Sequence, residues 1–223
     1  MPYKVIIAEK PSVATSIAKV VGANVQHRNG PTGYLEGNGY KVTWAFGHLV
    51  GLKSPEQMGF TSEMLPMFPE RWETKVNTRK DDKGKDRPDP MVEKQLDLIG
   101  NLFGSAEEII VATDAGREGE LIFRYIYEFH RCKVPFRRLW ISSLTDEAIS
   151  KGMNDLKPGR QYDPLSDAAH SRSEADWLVG FNASKALRLS ATSIHLSAEL
   201  SGKSMRKLGT GLKPSTMLHM KHG

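Results

Sequence analysis

Residues 107–120, EEIIVATDAGREGE, run an apolar segment straight into a loop that carries Asp114, Glu118 and Glu120, with Arg117 and two glycines among them. A second junction has the same character: the apolar KVIIA at 4–8 is followed at once by Glu9 and Lys10, then by Pro11-Ser12. Carboxylates held close together repel and raise one another's pKa unless a cation sits between them. A hard divalent ion with oxygen ligands, Mg²⁺ above all, fits such a cluster. A single acid near a helix start needs no more explanation than the helix dipole. Two junctions, each with a basic neighbour (Lys10, Arg117), favour the cation.

These acids have to be positioned by strands that end where helices begin. KVIIA reads as a short buried strand. The segment VATSIAKVVGA after it has apolar residues at 13, 14, 17, 18, 20 and 21, which predicts a helix with Ser12 as N-cap and Gly22 as its stop. Residues 39–51, GYKVTWAFGHLVG, are β-rich, and residues 54–78, with three prolines, read as irregular. TRKDDKGKDRPDP (78–90) mixes both charge signs without an apolar residue and reads as a solvated, mobile loop.

Order returns with a helix over 91–103, the strand 107–113 and a helix over 117–131 with its apolar stripe at 121, 122, 125, 126 and 129. A strand over 137–143 follows, then a helix capped by Thr145, and a long helix over 165–189. Alternating strands and helices predict an α/β fold with a mostly parallel sheet covered on both faces, followed by a helical segment. In such sheets ligands bind beyond the carboxyl ends of the strands. If the two acid-ended strands are neighbours, Glu9, Asp114 and Glu118 converge on one crevice.

Composition sets wider bounds. The 223 residues are 39% hydrophobic and 26% charged, ordinary values for a globular protein long enough to bury a real core. No stretch approaches the roughly 20 apolar residues of a membrane span, and MPYKVIIAEK lacks a signal-peptide layout. The single cysteine, Cys132, leaves no internal disulfide or cysteine cluster, and a cytoplasmic location is expected. The net charge of +5 does not itself argue for nucleic acid. Residues 185–223 hold seven Lys/Arg against Glu199 alone, so the first 184 residues sum to −1.

IIAEKPS followed a hundred residues later by TDAGREGE resembles the Toprim domain of type IA DNA topoisomerases, in the topoisomerase III branch. TWAFGHLVGL (43–52), ISSLTDEAI (141–149) and AHSRSEADWLVGFNASKAL (169–187) resemble further pieces of that family in the same order. The resemblance implies a Toprim, Rossmann-like domain over 1–155 and the start of a helical DNA-binding domain over 156–190. It implies an ATP-independent isomerase that cuts and rejoins single-stranded or negatively supercoiled DNA with Mg²⁺, in the cytoplasm at the nucleoid.

By the same resemblance Glu9 is implicated in proton transfer and metal coordination, and Lys10 in contacting the scissile phosphate. Asp114 and Glu118 match the outer acids of the pattern Asp-x-Asp-x-Glu, whose middle position is Gly116 here. That departure puts a second metal ion in question. Arg117 supports the carboxylates or a phosphate, and His48 lies close to the site. Arg172 and Asp176, four apart on one helix face, match a pair near the active site, and Asn182 is a candidate DNA contact. For each of these last residues a bland reading stands beside the functional one: a surface ion pair, a core histidine, a bond to the backbone. Trp44, Trp140 and Trp177 read as core.

The family's nucleophile is a tyrosine beyond a GRVQTPT-like stretch. None of the tyrosines here, at 3, 34, 40, 125, 127 and 162, lies in a segment that resembles it. The match ends near residue 190, and residues 191–223 read as an atypical basic tail of weak periodicity, disordered or aberrant. The chain is therefore expected to be a truncated N-terminal fragment, inactive without the missing C-terminal portion. Two competing readings are a Toprim nuclease or primase-like enzyme and a non-catalytic DNA-binding module. A generic nucleotide-binding domain is disfavoured, because neither G-x-x-x-x-G-K-[ST] nor G-x-G-x-x-G is present.

Overall fold

Four fully buried residues in a row, Val5–Ala8, mark the central strand of the protein. The computed structural model describes residues 2–61, 63–80, 82 and 86–209, with side chains as far as residue 190 apart from that of Lys80. Strand β1 (Lys4–Ala8) leads into helix α1 (Pro11–Val21). Pro11 occupies the first helical position, where its missing N–H costs nothing, so the helix starts earlier than the sequence suggested. Ser12 is thus inside the helix, and Lys10 is an N-cap without a side-chain bond. Gly22, in the left-handed conformation at φ 80°, ends it as expected.

The meander β2 (Val25–Asn29), β3 (Thr32–Gly37) and β4 (Tyr40–Trp44) follows. Short strands β5 (Val50–Leu52) and β6 (Thr74–Val76) pair with each other around a mostly irregular segment. β7 (Thr78–Lys80) and β8 (Asp86–Pro88) form a second antiparallel pair. The expectation of a mere solvated loop at 78–90 is corrected there, since a backbone ladder can form without an apolar side chain. Helix α2 (Pro90–Gly104), strand β9 (Glu108–Ala112), helix α3 (Arg117–Phe129) and strand β10 (Phe136–Arg138) come next. Helix α4 (Asp146–Asn154), capped by the Thr145 hydroxyl, strand β11 (Lys157–Pro158) and helix α5 (Asp163–Gly209) complete the order.

The seven-stranded sheet has the order β11-β10-β9-β1-β4-β3-β2. Its centre, β10-β9-β1-β4, is parallel, and antiparallel strands flank it. Alternation along β1 divides the core: Val5 and Ile7 face α2 and α3, while Ile6 and Ala8 face α1 and α4. This is the predicted α/β fold followed by a helix.

Three further expectations need correction. The strand over 137–143 is only β10, and Trp140 beyond it is 39% exposed, stacked on Tyr162 rather than buried. Trp44 and Trp177 are core residues as expected. Helix α5 continues to Gly209, twenty residues past the expected end of order; its run from 190 has no proline, and helix formers such as Ala, Leu and Lys carry it. The rest of the basic tail, 210–223, lies outside the described residues.

Candidate metal and phosphate site

Strands β1 and β9 are parallel neighbours with Ala8 opposite Ala112, so the two acid-bearing junctions leave the sheet side by side. Glu9 Oε2 accepts from the Asp114 backbone N–H at 3.4 Å. Lys10 Nζ lies 3.7 Å from Glu9 Oε1 and 3.8 Å from Asp114 Oδ2, one ammonium shared by two carboxylates. Glu118, in the first turn of α3, turns elsewhere: its Oε2 is 3.1 Å from His48 Nε2. Among the described residues no three His, Cys, Asp or Glu side chains are gathered to hold a metal ion. The expected three-acid cluster is instead Glu9 with Asp114, and Glu118 paired with His48.

A cleft of about 250 Å³ opens beside Glu118, with His48, Asn77, Tyr125, Arg172 and Asp176 among its walls. Asn77 Nδ2 donates to the His48 carbonyl at 2.7 Å and so fixes that turn. Arg172 Nε donates to Asp176 Oδ2 at 2.8 Å, an exposed pair that adds little stability but holds a guanidinium at the cleft wall. Tyr125 is the tyrosine that lines this cleft. Burial pushes its hydroxyl pKa up, the reverse of nucleophile activation, and the hydroxyl is bonded to Ser173 at 3.2 Å.

Asn182 clamps backbone, the second of the two readings its amide allowed. Its Oδ1 accepts from the Met67 N–H at 2.7 Å, and its Nδ2 donates to the Met67 and Leu178 carbonyls at 3.0 and 2.9 Å. An amide that mimics a peptide group in this way has both its ends engaged. Arg117, at the exposed start of α3, has no ion-pair partner among the described residues.

Glu120 and a residue absent from the sequence reading, Arg138, carry the support of the loop. Both are fully buried. Arg138 Nη1 donates to Thr113 Oγ1 at 2.6 Å and Nη2 to the Asp114 carbonyl at 2.8 Å. Thr113 Oγ1 in turn donates to the Gly119 carbonyl at 2.6 Å. Glu120 Oε2 stands 3.3 Å from Arg138 Nε. Burial pushes the Arg138 pKa down, and the Glu120 carboxylate opposes that shift. Nothing local singled Arg138 out: β10 reads FRR, with Arg137 beside it, and only the burial of Arg138 against Glu120 separates the two arginines.

The arrangement is two carboxylates and a lysine at adjacent strand ends, a third acid held by a histidine, and an arginine across a cleft. The chain is 45% identical over 194 residues to DNA topoisomerase 3 of Shouchella clausii (strain KSM-K16), covering 84% of this chain and 24% of that protein. To DNA topoisomerase 3 of Bacillus cereus (strain ATCC 10987 / NRS 248) it is 48% identical over 192 residues, with the same shares. For the Staphylococcus aureus (strain USA300) protein of that name the figures are 47% over 189 residues, 82% and 24%. The chain thus spans about a quarter of the length of the curated relatives it matches. The solved structure of full-length topoisomerase I from Thermotoga maritima aligns with 78% of this chain and 24% of that one, at a TM-score of 0.48 and 21% identity. The family model described as the Toprim domain matches residues 4–144, from the first residue of β1 past the acid loop and β10, and the chain belongs to that family.

Proposed function

We propose that this chain is the Toprim part, with the first helix of the DNA-binding region, of a topoisomerase III-like type IA enzyme that acts on single-stranded or negatively supercoiled DNA. The observation that carries the reading is the shared position of Lys10 between Glu9 and Asp114. Two carboxylates that already divide one cation form a donor set suited to Mg²⁺, with the exposed carboxylate of Glu118 as a third donor once it leaves His48. Glu9, Asp114 and Glu118 would hold the ion. When bound, Mg²⁺ supplies positive charge against a DNA phosphate.

The chain's own side chains do the rest. Lys10 contacts the scissile phosphate, and Arg172 a second phosphate across the cleft. Glu9, only 12% exposed and braced by the Asp114 amide, is placed to hold or deliver a proton at the departing oxygen. His48 holds the Glu118 carboxylate until the ion claims it. With no tyrosine in a segment that resembles the family's nucleophile, this chain alone is expected to bind DNA without relaxing it. Acting on DNA, it would work in the cytoplasm; no helix among the described residues is long and apolar enough to cross a membrane.

Calorimetric titration of Mg²⁺ into the wild type and the Asp114→Asn/Glu118→Gln variant tests the site. Binding in the former and its loss in the latter is expected. Equal binding by both, or none by the wild type, overturns the metal assignment. A covalent adduct between this chain and single-stranded DNA would overturn the assignment of the nucleophile elsewhere.

A further inference from the structure

An unbroken run of charged side chains joins the first residue of α5 to the acid loop. Asp163 Oδ1 accepts from Arg124 Nη2 at 2.8 Å, and Arg124 Nε donates to Glu120 Oε1 at 2.8 Å. The other oxygen of Glu120 faces Arg138, whose two terminal nitrogens hold Thr113 and the Asp114 carbonyl. Asp163 belongs to the helix that carries Arg172 and Asp176. The run therefore connects the two halves of the proposed site behind its surface.

Glu120 is divided between two arginines, and the division is unequal. Its bond to Arg124 is well formed. Its Oε2 and Arg138 Nε lie 3.3 Å apart, yet neither atom makes a hydrogen bond, although both are buried. A bidentate carboxylate–guanidinium pair is the stronger geometry and is available to these two side chains. What withholds it is Arg124, anchored by Asp163 and lying over the Phe136 ring at 4.9 Å. Asp163 fixes where Arg124 stands and so how Glu120 is divided; with Arg124 moved off, Glu120 is free to turn wholly to Arg138. Arg138 would then be drawn off the Thr113 hydroxyl and the Asp114 carbonyl.

We propose that Asp163 and Arg124 are positioning residues, through which the seating of α5 on α3 sets the backbone geometry of the Asp114 loop. The functional meaning of this coupling rests on the metal and phosphate reading above; the coupling itself does not. Such a link requires a demonstrated response at the far end, beyond mere adjacency.

The test is amide hydrogen exchange on the metal-free chain, for the wild type, Asp163→Asn and Arg124→Met. Methionine keeps an apolar stem over Phe136 while removing the charge. The reporter is the Gly116 amide, which donates to the same Asp114 carbonyl that Arg138 holds. Asp163 is half-exposed, so its substitution leaves the core intact and decides the matter if Arg124→Met fails to fold. With Asp163→Asn, exchange across 113–119 should accelerate by about threefold or more, the scale of one half-exposed ion pair, while β1 and α1 stay unchanged. Unchanged exchange at 113–119, or acceleration spread evenly over the sheet, overturns the proposal. Because no metal is present, failure of Mg²⁺ binding would leave this result standing, and failure here would leave the proposed function standing.

Discussion

Gly119 lies directly against the Asp114 backbone: a β-carbon at 119 would stand 2.1 Å from the Asp114 carbonyl oxygen and 2.7 Å from its nitrogen. The first turn of α3 folds back on the loop that precedes it, and the Thr113 hydroxyl ties the two together. The obstruction is backbone, which cannot swing aside as a flexible side chain would. Gly119→Ala should therefore displace the loop at a cost of about 1–3 kcal/mol. Urea denaturation reads the stability, and Mg²⁺ calorimetry should show weakened binding in the same variant. An unchanged midpoint would mean that the loop has room the geometry does not show.

Gly116 is the opposite case. Its backbone is extended (φ 178°, ψ 178°), a conformation open to any residue, and nothing lies within 4 Å of the β-carbon it lacks. Nothing in the fold requires glycine there. Gly116→Asp would restore the middle acid of the Asp-x-Asp-x-Glu pattern at a stability change within about 0.5 kcal/mol. A further carboxylate beside Asp114 raises the local ligand charge, so Mg²⁺ should bind about tenfold tighter. Equal or weaker binding would show that position 116 faces away from the ion.

The contrast between these glycines marks what was legible in the sequence. The acid-ended strands β1 and β9 could be read because apolar runs and charge breaks are local, but their adjacency was only a condition in the sequence and is a fact of the sheet pairing. Arg138 could not be found that way: its partners Thr113, Asp114 and Glu120 come from the β9–α3 junction and the start of α3, and only packing brings them together. Asn182 was open to two readings because an amide binds a base and a peptide group equally well. Its bond to Met67, 115 residues away, is a tertiary fact. The meander arms β2 and β3 escaped because β2 is exposed throughout and shows no apolar alternation.

His130 gives the fold a pH dependence of known sign. Burial holds its imidazole below the ordinary value near 6.5, and its Nε2 is buried without a partner. The unfolded chain then binds the proton more readily than the folded one, so its contribution to stability is intact above about pH 6.5 and is lost as pH falls through the folded value. His170 works the other way: the bond to Glu128 raises its pKa, so its contribution is present below 6.5 and fades as pH rises through the raised value. Thermal unfolding at pH 5 and pH 7 should show a smaller pH-dependent loss in His130→Phe than in the wild type. An identical loss in both would remove His130 from the account.

Lys10 separates the two binding steps. Its ammonium occupies the space between Glu9 and Asp114 that a metal ion would share, at 3.7 and 3.8 Å from their oxygens. Lys10→Met removes a competing cation, so Mg²⁺ should bind the DNA-free chain about fivefold tighter, as expected for one charge at that distance in a largely aqueous setting. The same change would delete the proposed phosphate contact. Single-stranded DNA should bind more weakly, and the slope of log affinity against log salt should fall by about one. Calorimetry for the ion and fluorescence anisotropy at several salt concentrations for the strand read these effects separately. If Mg²⁺ and DNA affinity fell together, Lys10 would be an organiser of the acid pair, and its place between the carboxylates would have to be read as support for the ion.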